Sequence, residues 1–126
     1  MSGRSFQELE VWKRGKRLRV KVFEVVGEFP GDEKFRLSDQ LIRSSRSICA
    51  NIAEGHGRYH FQENSQFCRI ARGSLSETWD HLITAQECAY ISQNELDEFS
   101  LEIEETLKLL NGYINYLQNQ KKSRNP

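Results

Sequence analysis

The densest concentration of chemistry in the 126-residue chain is a run of cations: Lys13, Arg14, Lys16, Arg17, Arg19 and Lys21 fill six of nine positions. At 100° per residue, Lys13, Arg14, Arg17 and Lys21 share an arc of about 100°. A helix carrying them presents a stripe suited to successive phosphates of structured RNA or DNA, each contact steepening the salt dependence. Arg43, Arg46 and Arg58 can extend that stripe, and Tyr59 and Phe61 supply rings for stacking. A solvated helix face, or pairing with the acids Glu95, Asp97, Glu98, Glu102, Glu104 and Glu105, explains the same cations. Spacing alone does not separate these readings.

Two polar clusters invite a catalytic or metal reading. One runs Arg43-Ser-Ser-Arg-Ser47 into Asn51, Glu54, Gly55 and Arg58; the other is Gly73-Ser-Leu-Ser-Glu77 with Asp80 and His81. Antiparallel pairing would bring Asn51 and Glu54 toward Ser74 and Glu77. Carboxylate-bridged di-metal sites in bundles need Glu-x-x-His on two helices, and this chain has no such spacing. Asn51 and Glu54 are expected to satisfy backbone groups or an arginine instead. No histidine is locally spaced to serve Ser44, Ser45 or Ser47, and His56 and His60 are separated by Gly57 in an expected loop. Neither GxxxxGK[ST] nor GxGxxG occurs. The expectation is no enzyme, no metal and no cofactor. Cys49, Cys68 and Cys88 form no CxxC pair and read as small buried thiols in a reducing compartment.

Hydrophobic periodicity supplies four helices to position these groups. Ser5 and Glu8 have capping-box spacing, which predicts a first helix over about 6–27. Its Val11, Trp12, Leu18, Val22, Phe23, Val25 and Val26 span about 160° of the wheel. That arc is wider than one neighbour covers, so the helix lies in a groove between two others or also meets another subunit. After a turn at Pro30 and Gly31, Asp32 is the expected N-cap of a second helix over about 33–54. Phe35, Leu41, Ile42, Ser45, Ile48, Cys49 and Ile52 are its expected core positions, and Gly55 its C-terminal cap. The third helix spans about 61–90, with Phe67, Ile70, Ala71, Ser74, Leu75, Thr78, Leu82, Ala85 and Ala89 inward. Ser92 and Glu95 repeat the capping box and open a fourth helix over about 93–119. There Leu96, Phe99, Ile103, Leu107, Leu110, Ile114 and Leu117 follow three-and-four spacing closely. The polar tail NQKKSRNP is expected to fray.

Four such helices with short connections predict a single all-α domain, an up-down-up-down antiparallel four-helix bundle. Small residues in the middles of helices two and three make these the expected tightest pair, and Gly73 is read as a close helix contact in preference to a functional opening. The chain is neutral, with 18 basic and 18 acidic side chains. Residues 1–60 nevertheless carry 12 basic against 8 acidic groups, and residues 61–126 carry 6 against 10. Neutrality argues against a protein that coats nucleic acid non-specifically, while the asymmetry permits head-to-tail attraction between subunits. No window is apolar enough to span a membrane, and the start of the chain lacks a signal core. A cytoplasmic location is therefore expected.

The segments ELEVWKRGKRL, FPGDEKFRLSDQLIRSSRSICANIAEGHGR and FCRIARGSLSETWDHLITA together resemble the 23S rRNA intervening-sequence protein family, often called simply four helix bundle protein. The resemblance covers about residues 6–117. It implies a small cytosolic bacterial up-down bundle, in some members a ring-shaped homopentamer, with no established catalytic activity. A related group, the accessory proteins of diversity-generating retroelements, forms basic pentameric barrels that bind nucleic acid and a reverse transcriptase. The neutrality of this chain departs from that group. Arg43, Asn51, Glu54, Gly55, Arg58, Gly73, Ser74, Leu75 and Glu77 carry over as family landmarks of unassigned role. A ring also suits a basic first helix and an acidic fourth, since a closed heterologous interface joins unlike surfaces. The expectation is a non-enzymatic homo-oligomeric scaffold, a pentamer, that binds RNA or DNA through helix one; the alternative is a ring-forming protein-interaction scaffold that binds none.

Overall fold

The computed structural model describes residues 5–124, with side chains as far as Gln120. It contains α1 (Glu10–Val26), α2 (Leu37–His56), α3 (Phe61–Glu87) and α4 (Gln93–Arg124), with single 3-10 turns at Phe6–Glu8 and Gly31–Glu33. No strand occurs among the described residues. Helix α2 packs on α1 and α3, and α4 packs on α3 and α1, which closes the antiparallel four-helix bundle. Its centre is filled by Leu18, Leu41, Ile48, Ile52, Leu75, Leu82, Ile103, Leu110 and Leu117. Their burial supplies the main driving force for folding.

Helices α2 and α3 form the most extensive pair, as the small residues predict. Thr78 donates to the Ser44 hydroxyl and Ser74 to the Ser47 hydroxyl, each at 2.9 Å. These bonds set an antiparallel register and satisfy hydroxyls that close packing removes from water. Gly55 lies inside α2 against Asn64 and Phe67, and Gly57 is the C-cap. Gly55 therefore serves close approach rather than the cap expected of it. Gly73 has the opposite fate: nothing stands within 4 Å of a Cβ built there. The close contact expected at Gly73 is absent.

Several boundaries differ from the periodicity for local reasons. The Ser5 hydroxyl accepts from the Gln7 amide and caps only the 3-10 turn, because Leu9 is extended at φ −71°, ψ 127°. The α-helix then starts at Glu10. Asp32 lies within the second 3-10 turn, and α2 begins later, at Leu37, where Glu33 Oε1 accepts from the Leu37 amide at 3.4 Å. Helix α3 ends at Glu87 because Ala89 turns left-handed, at φ 64°. The Ser92–Glu95 capping box forms in both directions, at 3.0 and 2.8 Å. Helix α4 continues through most of the tail expected to fray, as far as Arg124.

Four expected core residues stand outside. Phe35, 85% exposed, precedes α2, so helical phase does not turn it inward. Phe23 sits at the edge of the apolar arc and is 58% exposed, while Ile70 lies on the rim of the α3 core face and is 52% exposed. Ala89 is exposed in the turn after α3.

Candidate functional surface

Helix α1 has three accessible flanks, and the structure distributes its cations among them. On the α4 flank, Arg14 pairs with Glu105, and Lys21 Nζ lies 2.5 Å from Glu102 Oε2. Lys13, on the outer face, reaches back to Glu10 at 3.6 Å. Arg17 is exposed there and has no ion pair among the described residues. Arg19 leans the other way, 5.6 Å from the centre of the Trp12 ring on the α2 flank, while Lys16 lies 5.8 Å from the same ring and lines the outer hollow with Lys13, Arg17 and Lys21. The stripe of Lys13, Arg14, Arg17 and Lys21 is thus divided. Two of its charges are engaged by helix-four acids and two face outward.

Of those two acids, Glu102 belongs to a larger feature. Between α1 and α4 runs a cleft of about 260 Å³ whose walls carry Glu24, Glu28, Glu95, Glu98 and Glu102, with Lys21 as the one lining cation among the described residues. Val25 and Phe99 contribute its apolar lining. The α1–α2 side has the opposite character. Arg46 lies over Phe23, 5.8 Å from the ring centre, and lines a groove with Arg19, Trp12, Cys49, Ala50 and Ala53. Arg43 is outside it, exposed and 3.9 Å from Asp39. Arg58 belongs to the α2–α3 side, pairing with Glu54 at 3.0 Å and covering the Phe67 ring. Tyr59 projects into solvent beside His60.

The remaining landmark residues are held locally. Asn51 donates to the Ser47 carbonyl at 2.8 Å and to the Ser47 hydroxyl at 2.9 Å, and that hydroxyl also accepts from Ser74 at 2.9 Å. Glu77 pairs with His81 at 3.1 Å, one turn away. With Ser44 opposite Thr78, Glu54 and Glu77 stand roughly 14 Å apart along the bundle. Asn51 and Ser74 thus converge on one hydroxyl, as antiparallel pairing suggests, whereas Glu54 and Glu77 do not approach one another. Among the described residues no group of three or more His, Cys, Asp or Glu is arranged to hold a metal.

Burial pushes the Cys49 thiol up to about 11, against the opposing charge of Arg19. Cys68 is raised to about 11 by the same cause. Cys88, expected to be buried, is exposed just after α3. The α1–α2 groove was not legible as a surface. Its signal was the excess width of the apolar arc, with Lys16 and Arg19 one and two turns beyond Trp12.

Architecture and surface together define an antiparallel helical bundle with its basic and acidic grooves on opposite flanks of one helix. The 23S rRNA-intervening sequence protein family matches residues 7–112, and the chain belongs to that family. Among solved structures, a protein of unknown function from the S23 ribosomal protein family of Bacteroides thetaiotaomicron shares the fold, with a TM-score of 0.77 and 24% identity. That likeness covers 83% of this chain and 95% of the other. None of the curated proteins matches. No helix among the described residues is long and apolar enough to cross a membrane.

Proposed function

We propose that the chain is a non-enzymatic cytoplasmic scaffold that works as a homo-oligomer, with the pentameric ring implied by its family resemblance as the specific form. The observation that carries this reading is the acidic α1–α4 cleft beside the outward cations Lys13 and Arg17. A neutral chain with unlike surfaces on one helix is suited to a heterologous contact, in which the cations of one copy enter the cleft of the next. Arg14–Glu105 and Lys21–Glu102 already make this pairing within a protomer. Light scattering tests the reading. The expected mass is near 73 kDa, five times the 14.7 kDa chain. Glu95→Lys with Glu98→Lys should release monomers that retain their helical signal. A wild-type protein that is monomeric at micromolar concentration removes the oligomer.

A second reading, binding of RNA or DNA, is favoured by cations that no carboxylate engages among the described residues: Arg17, Lys16, Arg19 and Arg46. Only Arg17 belongs to the helix-one stripe that spacing suggested. Anisotropy with structured RNA across a salt series tests this reading, and a flat response at low salt from folded protein rejects it.

A further inference from the structure

We propose that the α1–α2 groove binds single-stranded nucleic acid, stacking a base on Phe23 while Arg46 and Arg19 of the groove and Lys16 at its rim, over the Trp12 ring, hold phosphates. The proposal rests on the nucleic-acid reading above and is independent of the oligomer. Two stretches make up the groove, linked by Arg46, which lines the first and lies over Phe23 of the second. One is lined by Trp12, Cys49, Ala50 and Ala53 with Arg19 and Arg46. The other, a hollow of about 340 Å³, is lined by Phe23, Phe29, Pro30 and Ile42 with Lys34 at its edge. No carboxylate lines either stretch. Asp39 and Glu54, the acids of α2, pair instead with Arg43 and Arg58, at 3.9 and 3.0 Å.

Charge and ring geometry select the occupant. Lys16, Arg19 and Arg46 have no carboxylate partner among the described residues, so a phosphate need displace none. Arg46 sits over the Phe23 ring, yet Phe23 remains 58% exposed. A flat aromatic surface flanked by guanidinium groups is the element on which unpaired bases stack, whatever their sequence. Duplexes bury their base faces in their own stack and offer such a ring nothing. The acidic cleft on the far flank of α1 repels a polyanion and confines it to this side.

Anisotropy with a labelled oligouridylate, and with an RNA duplex of equal length, provides the test. The single strand should bind more tightly, with a log–log salt slope near −2, about 0.7 for each of three cations. Phe23→Ala should weaken it about tenfold, Phe23→Tyr should restore it, and Arg46→Gln should flatten the slope by about 0.7. Phe23 lies on the surface, and circular dichroism checks that each variant is folded. Equal affinity for the duplex, or indifference to Phe23→Ala, overturns the proposal. So does an oligomer that falls apart in Phe23→Ala or Arg46→Gln while no oligouridylate binds, which makes the groove an interface between copies. Oligouridylate binding that Phe23→Ala weakens supports the groove even when the wild-type protein proves monomeric.

Discussion

Gly55 of α2 lies directly against Asn64 of α3: a Cβ at position 55 would stand 2.7 Å from Asn64 Oδ1, 3.0 Å from its carbonyl oxygen and 2.9 Å from Phe67 Cβ. Two of those neighbours are backbone or the root of a side chain and cannot swing away. The α2–α3 distance at this end of the bundle is therefore set by the missing side chain. Gly55→Ala gains helix propensity but must push the helices apart, and the second effect is larger. The expected net loss is about 1–3 kcal/mol, read as a lower urea midpoint at unchanged m-value. Gly73→Ala is the matched control. It meets open space within a helix, and should stabilise by about 1 kcal/mol.

Ala89 closes α3 with a left-handed backbone, φ 64°, while its amide donates to Gln86 and the Tyr90 amide to Ala85, both at 2.9 Å. A Cβ in that conformation crowds the following carbonyl, at a cost of about 1–2 kcal/mol that glycine avoids. Ala89→Gly should therefore raise stability by about 1 kcal/mol, despite glycine's greater freedom in the unfolded chain. Thermal unfolding that shifts downward would show that the turn is held by something other than this conformation.

The bundle was legible because Leu96, Phe99, Ile103, Leu110, Ile114 and Leu117 follow helical spacing and are all buried. The Ser92–Glu95 box was legible because its bonds span only three residues. The charged surface was not. Wheel angle places Arg14, Lys21, Lys13 and Arg17 together, but not the acids of α4, some eighty to ninety residues away, that claim the first two. Phe23 and Phe35 misled for a related reason: apolarity says that a residue gains by burial, not that a neighbour is in reach. The Glu54–Glu77 question turned on register. The Ser44–Thr78 and Ser47–Ser74 bonds fix it, and polar spacing within either helix carries no information about it.

Three free thiols divide into two kinds. Cys49 and Cys68 are buried and raised to about 11, from 9.0, mainly by burial, whereas Cys88 is exposed. At pH 8 a disulfide reagent should titrate one thiol quickly in native protein and all three after urea. The linkage has a definite sign. A raised folded-state pKa means that the unfolded chain loses its thiol proton first, so stability falls as pH rises from about 9 to about 11. Cys49→Ala with Cys68→Ala should flatten that part of the pH profile, after allowance for lost packing. Fast labelling of two or three thiols in native protein would contradict the burial.

The Arg14–Glu105 and Lys21–Glu102 pairs decide how much positive charge α1 offers to a polyanion. Both are partly exposed, so each should contribute less than about 1 kcal/mol to stability and weaken in salt. Glu102→Gln with Glu105→Gln should leave the bundle folded and return Arg14 and Lys21 to the surface beside Lys13 and Arg17. Duplex RNA or DNA should then bind the variant more tightly than wild type, with a salt slope steeper by about 0.9 for each freed cation, near two units in all. An unchanged slope would mean that the pairs already open when wild type meets nucleic acid, and that the helix-four acids do not gate the stripe. A steeper slope would show that α4 holds a duplex-binding face of α1 neutral.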